Sequence, residues 1–349
     1  MSSRPLRVLL LGFGNIGRRL AEILTDRAAH PGLAGLDFEV VGIVTGRHGA
    51  LVNPAGIDLE AAAAHLRAHG SFAGHADAVA LDSGAAVQGL DFDVLVDTTP
   101  LSVSGRGEPP LGWLRAALER GRHVVTCNKG PIAWGYRELA ETARRRGVGL
   151  YFETTVMDGA PLFALARAGL RGSRIDRLEG ILNSTTNFVL GRLERGEPID
   201  AAVRAAQDAG MAEADPSLDL DGRDAAVKLA VLVNVLMDIP LAPESITRTS
   251  VHELSAARLA AVAAAGRRLK LLARAERRAD GVLAEVAFRE LQASDPFALV
   301  EGSGAALRIT GDILGTIVLT QEAPDLSATA FGVIADLLSV QSLARRERA

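Results

Sequence analysis

The chain has 349 residues, 48% of them hydrophobic, and a formal charge of −4, which leaves no electrostatic footprint for nucleic acid or an anionic membrane. It is too long for one core and divides into two or three packed units. The longest apolar runs, such as residues 229–233, are broken by Asn234, Asp238 and Pro240 well short of a membrane span, and the N-terminus lacks the pattern of a signal peptide. The one cysteine, Cys127, excludes a disulfide framework and fits a reducing, cytoplasmic compartment.

The first third alternates short apolar runs with amphipathic stretches, the pattern of a parallel sheet with helical crossovers. Strands are predicted at 7–11, 38–44, 94–97, 123–127 and 150–153, and helices at 16–24, 59–69, 110–120 and 136–146. The Gly- and Pro-rich stretches 45–56 and 102–110 read as loops, placed where a parallel sheet binds its ligands. Directly after the first strand comes Gly12-Phe13-Gly14-Asn15-Ile16-Gly17, which opens a helix. In that context the first glycine makes a tight turn, the second lets backbone approach a pyrophosphate, and the third allows close helix–strand packing. The segment therefore reads as the turn of a Rossmann dinucleotide-binding domain. The second strand ends Val44-Thr45-Gly46-Arg47 with no acid to hold a ribose 2′-hydroxyl, which favours NADP over NAD, although a surface arginine accounts for Arg47 equally simply. Asp97-Thr98-Thr99-Pro100 and Thr126-Cys127-Asn128-Lys129 end the next strands, with side chains suited to a nicotinamide ribose or an anionic substrate, or to turn chemistry alone.

From about residue 155 the texture becomes α+β. Strands are predicted at 177–182, 270–274, 283–288 and 305–310, helices at 186–196, 199–208, 222–237 and 255–265, and a last helix at 327–338 that returns to the first domain. The loop 210–220 carries Glu213, Asp215 and Asp219 and feeds Asp221, Asp224 and Lys228. Asp224 and Lys228 lie four apart on a helix whose neighbours are apolar. An ion pair with Asp221 and Asp224 as capping acids explains part of this. Five acids and a lysine in so short a stretch also suit a polar ligand, since burying them unpaired is costly. Lysine is scarce: only Lys129, Lys228 and Lys270 occur beside 35 arginines. An ammonium can give up a proton where a guanidinium cannot.

Six ordered segments then carry a resemblance: residues 11–17, 97–100, 125–131, 153–161, 180–187, and 212 to Lys228. Together they resemble the homoserine dehydrogenase family, in its short form without a C-terminal regulatory domain. The resemblance implies an α/β fold, with a Rossmann domain over 1–150, a second α+β domain for substrate and dimerisation over 151–315, and a C-terminal segment over 316–349. It implies NADPH-dependent reduction of L-aspartate 4-semialdehyde to L-homoserine on the route to threonine, methionine and isoleucine, by a cytoplasmic homodimer with no nucleic-acid or membrane partner. Gly12, Phe13, Gly14, Asn15, Ile16, Gly17, Arg47, Thr98, Thr99 and Lys129 would form the NADP site, with NAD as the other option. Glu213, Asp219, Asp224 and Thr185 would bind substrate, and Lys228 and Lys129 are the candidate proton donors. A monovalent cation such as Na+ would take the Glu153 side chain and the carbonyls of Val156, Asp158 and Ala160. Ser184 departs from the family's usual glycine, and residues 321–327 replace a Gly-rich loop.

Overall fold

An almost fully buried apolar run, β1 (Leu6–Leu11), forms the middle of a parallel sheet, as such a strand must when both faces are covered. The computed structural model describes residues 4–347, with side chains to residue 345, and they fall into two units: residues up to 163 together with those from 325 onward, and residues 164–324.

In the first unit β1 leads through α1 (Asn15–Thr25) to β2 (Phe38–Thr45), β3 (Gly49–Val52), α2 (Leu59–His69), β4 (Ala78–Val79) and α3 (Ser83–Gly89). Then come β5 (Val94–Asp97), α4 (Pro110–Glu119), β6 (His123–Thr126), α5 (Lys129–Arg146) and β7 (Leu150–Tyr151). The sheet order is β4-β3-β2-β1-β5-β6-β7. Strands β2, β1, β5, β6 and β7 run parallel, while β3 and β4 add antiparallel at the edge. From β1 the chain first goes to one side, to β2, and later to the other, to β5. The carboxyl end of β1 is thus a topological switch point, where open α/β sheets bind ligands. Local signals set the crossover helices: Asp58 caps α2 by accepting from the Ala61 amide and Gly70 ends it at φ +71°, while Asn128 caps α5 and Arg144, Arg145 and Arg146 close it. The stretch 45–56, expected to be loop, contains β3. Its Ala50 and Leu51 bury their side chains, and that gain outweighs the glycines around them.

The second unit begins in α6 (Leu162–Gly169), which starts in the first, and continues through β8 (Ile175–Ile181), α7 (Ser184–Leu193), α8 (Ile199–Asp208), α9 (Ser217–Leu220) and α10 (Arg223–Leu232). After these come β9 (Thr247–Arg248), α11 (Ala256–Ala264), β10 (Arg267–Arg278), β11 (Gly281–Gln292), β12 (Ala305–Gly311) and β13 (Gly315–Gln321). Its sheet order is β13-β12-β8-β10-β11-β9, antiparallel apart from the β11–β9 pair. The β10–β11 hairpin pairs continuously from Arg267–Gln292 to Arg278–Gly281. The strands expected at 270–274 and 283–288 are its central parts; the charged ends pair as well, because a two-residue turn holds the register. The helix expected at 222–237 is α10 followed by a π-helical turn, Val233–Met237, ending at Asp238 with φ +52°.

The last helix, α12 (Leu326–Glu347), is longer than expected and belongs to the first unit. Alone among the described helices it has the length and apolar composition to cross a membrane. Here Ala330, Val333, Ile334, Leu337 and Val340 lie in the same core cluster as Leu10, Phe13 and Leu20. Asp336 is buried on the same helix, where its Oδ2 accepts from the Glu153 amide at 2.8 Å.

Candidate active site

In the first unit the glycine turn is built around Gly12, at φ +90°. A Cβ there would lie 2.7 Å from Thr98 Oγ1 and 2.8 Å from its carbonyl oxygen, so only glycine fits. The Thr98 hydroxyl donates to the Leu11 and Gly12 carbonyls at 3.2 and 3.1 Å, tying the turn to the end of β5. Gly17 packs closely, its Cβ position 3.1 Å from the Gly12 carbonyl oxygen, whereas a Cβ on Gly14 would meet nothing within 4 Å. Packing therefore explains Gly12 and Gly17 but leaves open space at Gly14, which precedes α1 without any side-chain cap. Uncapped amides facing open space suit a pyrophosphate.

Phe13 is buried against Phe72, with ring centroids 5.9 Å apart, which leaves its backbone and not its ring for contact with a ligand. Asn15 is exposed and accepts from Arg18 at 2.8 Å. Ile16 is half-buried. Arg47 is exposed at the tip of the β2–β3 hairpin, whose turn is held by the His48 amide donating to Thr45 Oγ1 at 2.8 Å.

Between β5 and β6 lies a polar network that the sequence reading did not assign. Asp97 is fully buried. Its Oδ1 accepts from the Thr99 amide at 2.9 Å and the Thr99 hydroxyl at 2.6 Å, and its Oδ2 from the Thr126 hydroxyl at 2.9 Å. Asn128 completes it, donating through its amide N–H to Thr126 Oγ1 at 2.9 Å and through Nδ2 to Thr99 Oγ1 and the Pro100 carbonyl at 3.2 and 3.1 Å. Asn128 Oδ1 accepts from the Gly130 amide, and the half-buried Lys129 opens α5 directly behind it. Burial pushes the Asp97 carboxyl above its ordinary range, against the pull of its three donors. Burial likewise pushes the Cys127 thiol up to about 12, so it stays neutral.

Glu153 is buried in a short 3-10 turn and accepts through Oε1 from the Phe163 amide. Val156 is buried as well. Asp158 sits at φ +41° and accepts from the Thr329 hydroxyl at 3.1 Å, and the Ala160 carbonyl accepts from the Leu162 amide at 2.7 Å. These four expected cation ligands thus lie along the segment 153–160, which begins in that 3-10 turn, and offer oxygen donors only. Among the described residues no group of three or more His, Cys, Asp or Glu is arranged to hold a metal.

In the second unit, the end of β8, the start of α7, α9 and the start of α10 converge. Lys228 Nζ donates to the Leu182 carbonyl at 2.8 Å and lies 3.4 Å from Asp224 Oδ2. The Asn183 amide nitrogen donates to both carboxylates, at 2.7 Å to Asp219 Oδ1 and 2.9 Å to Asp224 Oδ2, while its Oδ1 caps α7 by accepting from the Thr186 amide. Thr186 donates to the Asp219 carbonyl and Thr185 to the Met211 carbonyl, at 2.9 and 2.8 Å. Burial first, and the neighbouring Asp224 charge second, raise the Asp219 carboxyl above its usual range.

Glu213 lies apart from these bonds: its side chain is exposed, and its carbonyl accepts from Gln207 at 3.2 Å. One expectation is corrected. Asp221 and Asp224 do not cap α10. Gly222 holds the cap position at φ +69°, and the Asp221 carboxylate instead accepts from Ser250 at 3.2 Å. The residue the sequence reading passed over is Asn183; an Asn before Ser-Thr-Thr at a helix start is a capping signal that could have drawn attention to it.

Comparison with known proteins agrees across the length of the chain. Residues 12–153 match the NAD-binding domain of homoserine dehydrogenase, and residues 161–338 match the homoserine dehydrogenase family itself. An NAD(+)-dependent homoserine dehydrogenase of Pseudomonas canavaninivorans is 33% identical, with 98% of each chain covered. A homoserine dehydrogenase of Sulfurisphaera tokodaii is 31% identical, over 95% of this chain and 98% of its own. Among solved structures, a putative homoserine dehydrogenase from Archaeoglobus fulgidus superposes with a TM-score of 0.84 at 28% identity, covering 96% of this chain and 99% of that one. A hyperthermophilic archaeal homoserine dehydrogenase in complex with NADPH gives 0.81 at 29% identity, over 97% and 98%. With both halves matched in order and nearly the whole length aligned, this chain belongs to the homoserine dehydrogenase family of NAD(P)-binding oxidoreductases.

Proposed function

We propose that the chain catalyses the reversible, NADPH-linked reduction of L-aspartate 4-semialdehyde to L-homoserine, the step that opens the branch toward threonine, methionine and isoleucine. The observation that carries this reading is Lys228, a half-buried ammonium between the Leu182 carbonyl and the Asp224 carboxylate. A nicotinamide cofactor, when bound, would supply the hydride that reduces the aldehyde carbon. Lys228 stabilises the negative charge that gathers on the substrate oxygen and passes it a proton; in reverse it takes the hydroxyl proton. Asp224 keeps that ammonium charged and oriented, and Asp219, Thr185 and Glu213 bind the polar groups of the amino acid. Lys129, at the start of α5, is the second candidate donor.

The open space at Gly14 and the uncapped start of α1 suit the cofactor pyrophosphate, and Thr98 and Thr99 its nicotinamide half. Arg47, exposed on its hairpin, suits a ribose 2′-phosphate. We further assign the sheet of the second unit to homodimerisation, and the oxygen donors of Glu153, Val156, Asp158 and Ala160 to a monovalent cation such as Na+, whose hard charge would brace that segment. The setting is cytoplasmic.

The test is L-homoserine oxidation followed at alkaline pH with NADP+ and with NAD+. Activity with homoserine and not with other small hydroxy acids supports the proposal; cofactor binding without homoserine turnover overturns it. Arg47→Ala separates the cofactors: losing a charge-assisted phosphate contact should raise the KM for NADP+ about 10- to 100-fold and leave that for NAD+ nearly unchanged. Equal effects on both would remove Arg47 from the 2′-phosphate.

A further inference from the structure

Asp97 is a carboxylate with 0% exposure, and no described residue supplies a cation within ion-pair distance of it. Burying a carboxylate without a counterion is costly, so something in the local structure must offset it. One turn residue would need only the bond from the Thr99 amide, the ordinary device by which an aspartate shapes its own turn. Asp97 does more, because its second oxygen reaches across to the neighbouring strand and takes the Thr126 hydroxyl at 2.9 Å.

The directions of the protons follow. Each threonine hydroxyl has a single proton, and the shorter contacts commit it to Asp97: 2.6 Å from Thr99, and 2.9 Å from Thr126 against 3.4 Å to the Asn128 carbonyl. Both oxygens are then left as acceptors, and both accept from Asn128, Thr126 from its amide and Thr99 from its side chain. The circuit joins the ends of β5 and β6 and ends at the residue that caps α5 and precedes Lys129. With its proton committed, Thr99 offers a ligand an acceptor and no donor.

We infer that Asp97 is a positioning residue of the reaction: through Thr99, Thr126 and Asn128 it fixes the loop ends that meet the nicotinamide half of the cofactor and the start of α5 that carries Lys129. This rests on the proposal that Thr99 and Lys129 serve the cofactor. Asp97 itself touches neither ligand. Its bonds reach only the nicotinamide end: the Asp97 carboxylate holds Thr99 and Thr126 and not Thr98, whose hydroxyl ties the glycine turn to β5, and the adenosine end is held by that turn and the β2–β3 hairpin.

The experiment exploits that division, using Asp97→Asn, which turns one acceptor into a donor facing a donor, together with Thr126→Val and Thr126→Ser. Asp97→Asn should lower kcat and raise the KM for the cofactor, each by about 10- to 100-fold, as misplacement of about 1 Å does. Binding of the adenosine fragment alone, 2′,5′-ADP for NADP or ADP for NAD, should stay within about twofold, because no bond of that end is lost. Thr126→Val should shift the same constants in the same direction by less, and Thr126→Ser, which keeps the hydroxyl, should restore them. Parallel weakening of fragment and whole cofactor overturns the proposal, as do unchanged kcat and KM in Thr126→Val, or a serine variant no better than the valine one. If Asp97→Asn does not fold, the Thr126 pair decides. Absence of homoserine turnover in the unmodified protein would sink the substrate assignment, while the two binding constants would still test Asp97.

Discussion

Two asparagines do parallel work in the two units, and the carboxylates they hold differ. Asn128 caps α5 through Oδ1 while its amide side chain serves the Asp97 network; Asn183 caps α7 through Oδ1 while its side chain bridges Asp219 and Asp224. Around Asp97 the donors are hydroxyls and an amide, with no ammonium. Around Asp224 there is a lysine, and a second carboxylate, Asp219, which burial first and the Asp224 charge second raise above its usual range. A carboxylate closed off by hydroxyls and amides is suited to holding backbone in place. A pair of carboxylates with an ammonium beside them can also bind and move a proton.

The largest expected effect separates these roles directly. Lys228→Ala removes the proton donor and should lower kcat about 10²- to 10⁴-fold with the fold intact by circular dichroism; turnover near normal would put Lys228 on the structural side of the comparison. Next, Asn183→Ala and Asn128→Ala should each cost about 10- to 100-fold in kcat/KM, but against different ligands. The first should raise the KM for homoserine, since Asp219 and Asp224 lose their bridge, and the second the KM for the cofactor. If both variants move the same KM, the two networks do not divide the work as described.

The smallest effect concerns stability and the third lysine. Lys270 is buried and donates to two neutral oxygens, Asn187 Oδ1 at 3.0 Å and the Val300 carbonyl at 2.6 Å. Burial, with Arg268 adding to it, lowers its pKa from 10.5 to about 8. Between those values the unfolded chain holds a proton that the folded one has released, so stability rises with pH across that window. Lys270→Met loses both hydrogen bonds and this gain. Its deficit in denaturant unfolding should be about 1–3 kcal/mol at pH 9.5 and smaller at pH 7, where the native amine must carry its proton into the interior. A deficit independent of pH would show that Lys270 does not lose its proton on folding.

How far the sequence could be read depended on the range of each interaction. The strand–turn–helix from Leu6 to Thr25 and helix α8 were legible, because glycine spacing and apolar period act over a few residues. Strand β3 was not, since its glycine-rich surroundings read as loop until β2 supplies a partner. The Asp224–Lys228 pair was legible as an i,i+4 contact. The exposed side chain of Glu213, nearby in sequence, was not legible in the same way, because proximity along the chain says nothing about which way a loop turns its side chain.

By itself, then, the sequence determined a glycine turn between strand and helix, a helix carrying an acid and a lysine on one face, and enough ordered motifs to point to a family. Tertiary structure alone decided that Asn183 meets Asp219 and Asp224, respectively 36 and 41 residues further on, and that Asp97 meets Thr126, 29 residues away. Those meetings depend on which strands lie side by side. Strand order is set by the packing of whole elements against a common core, and no local pattern records it.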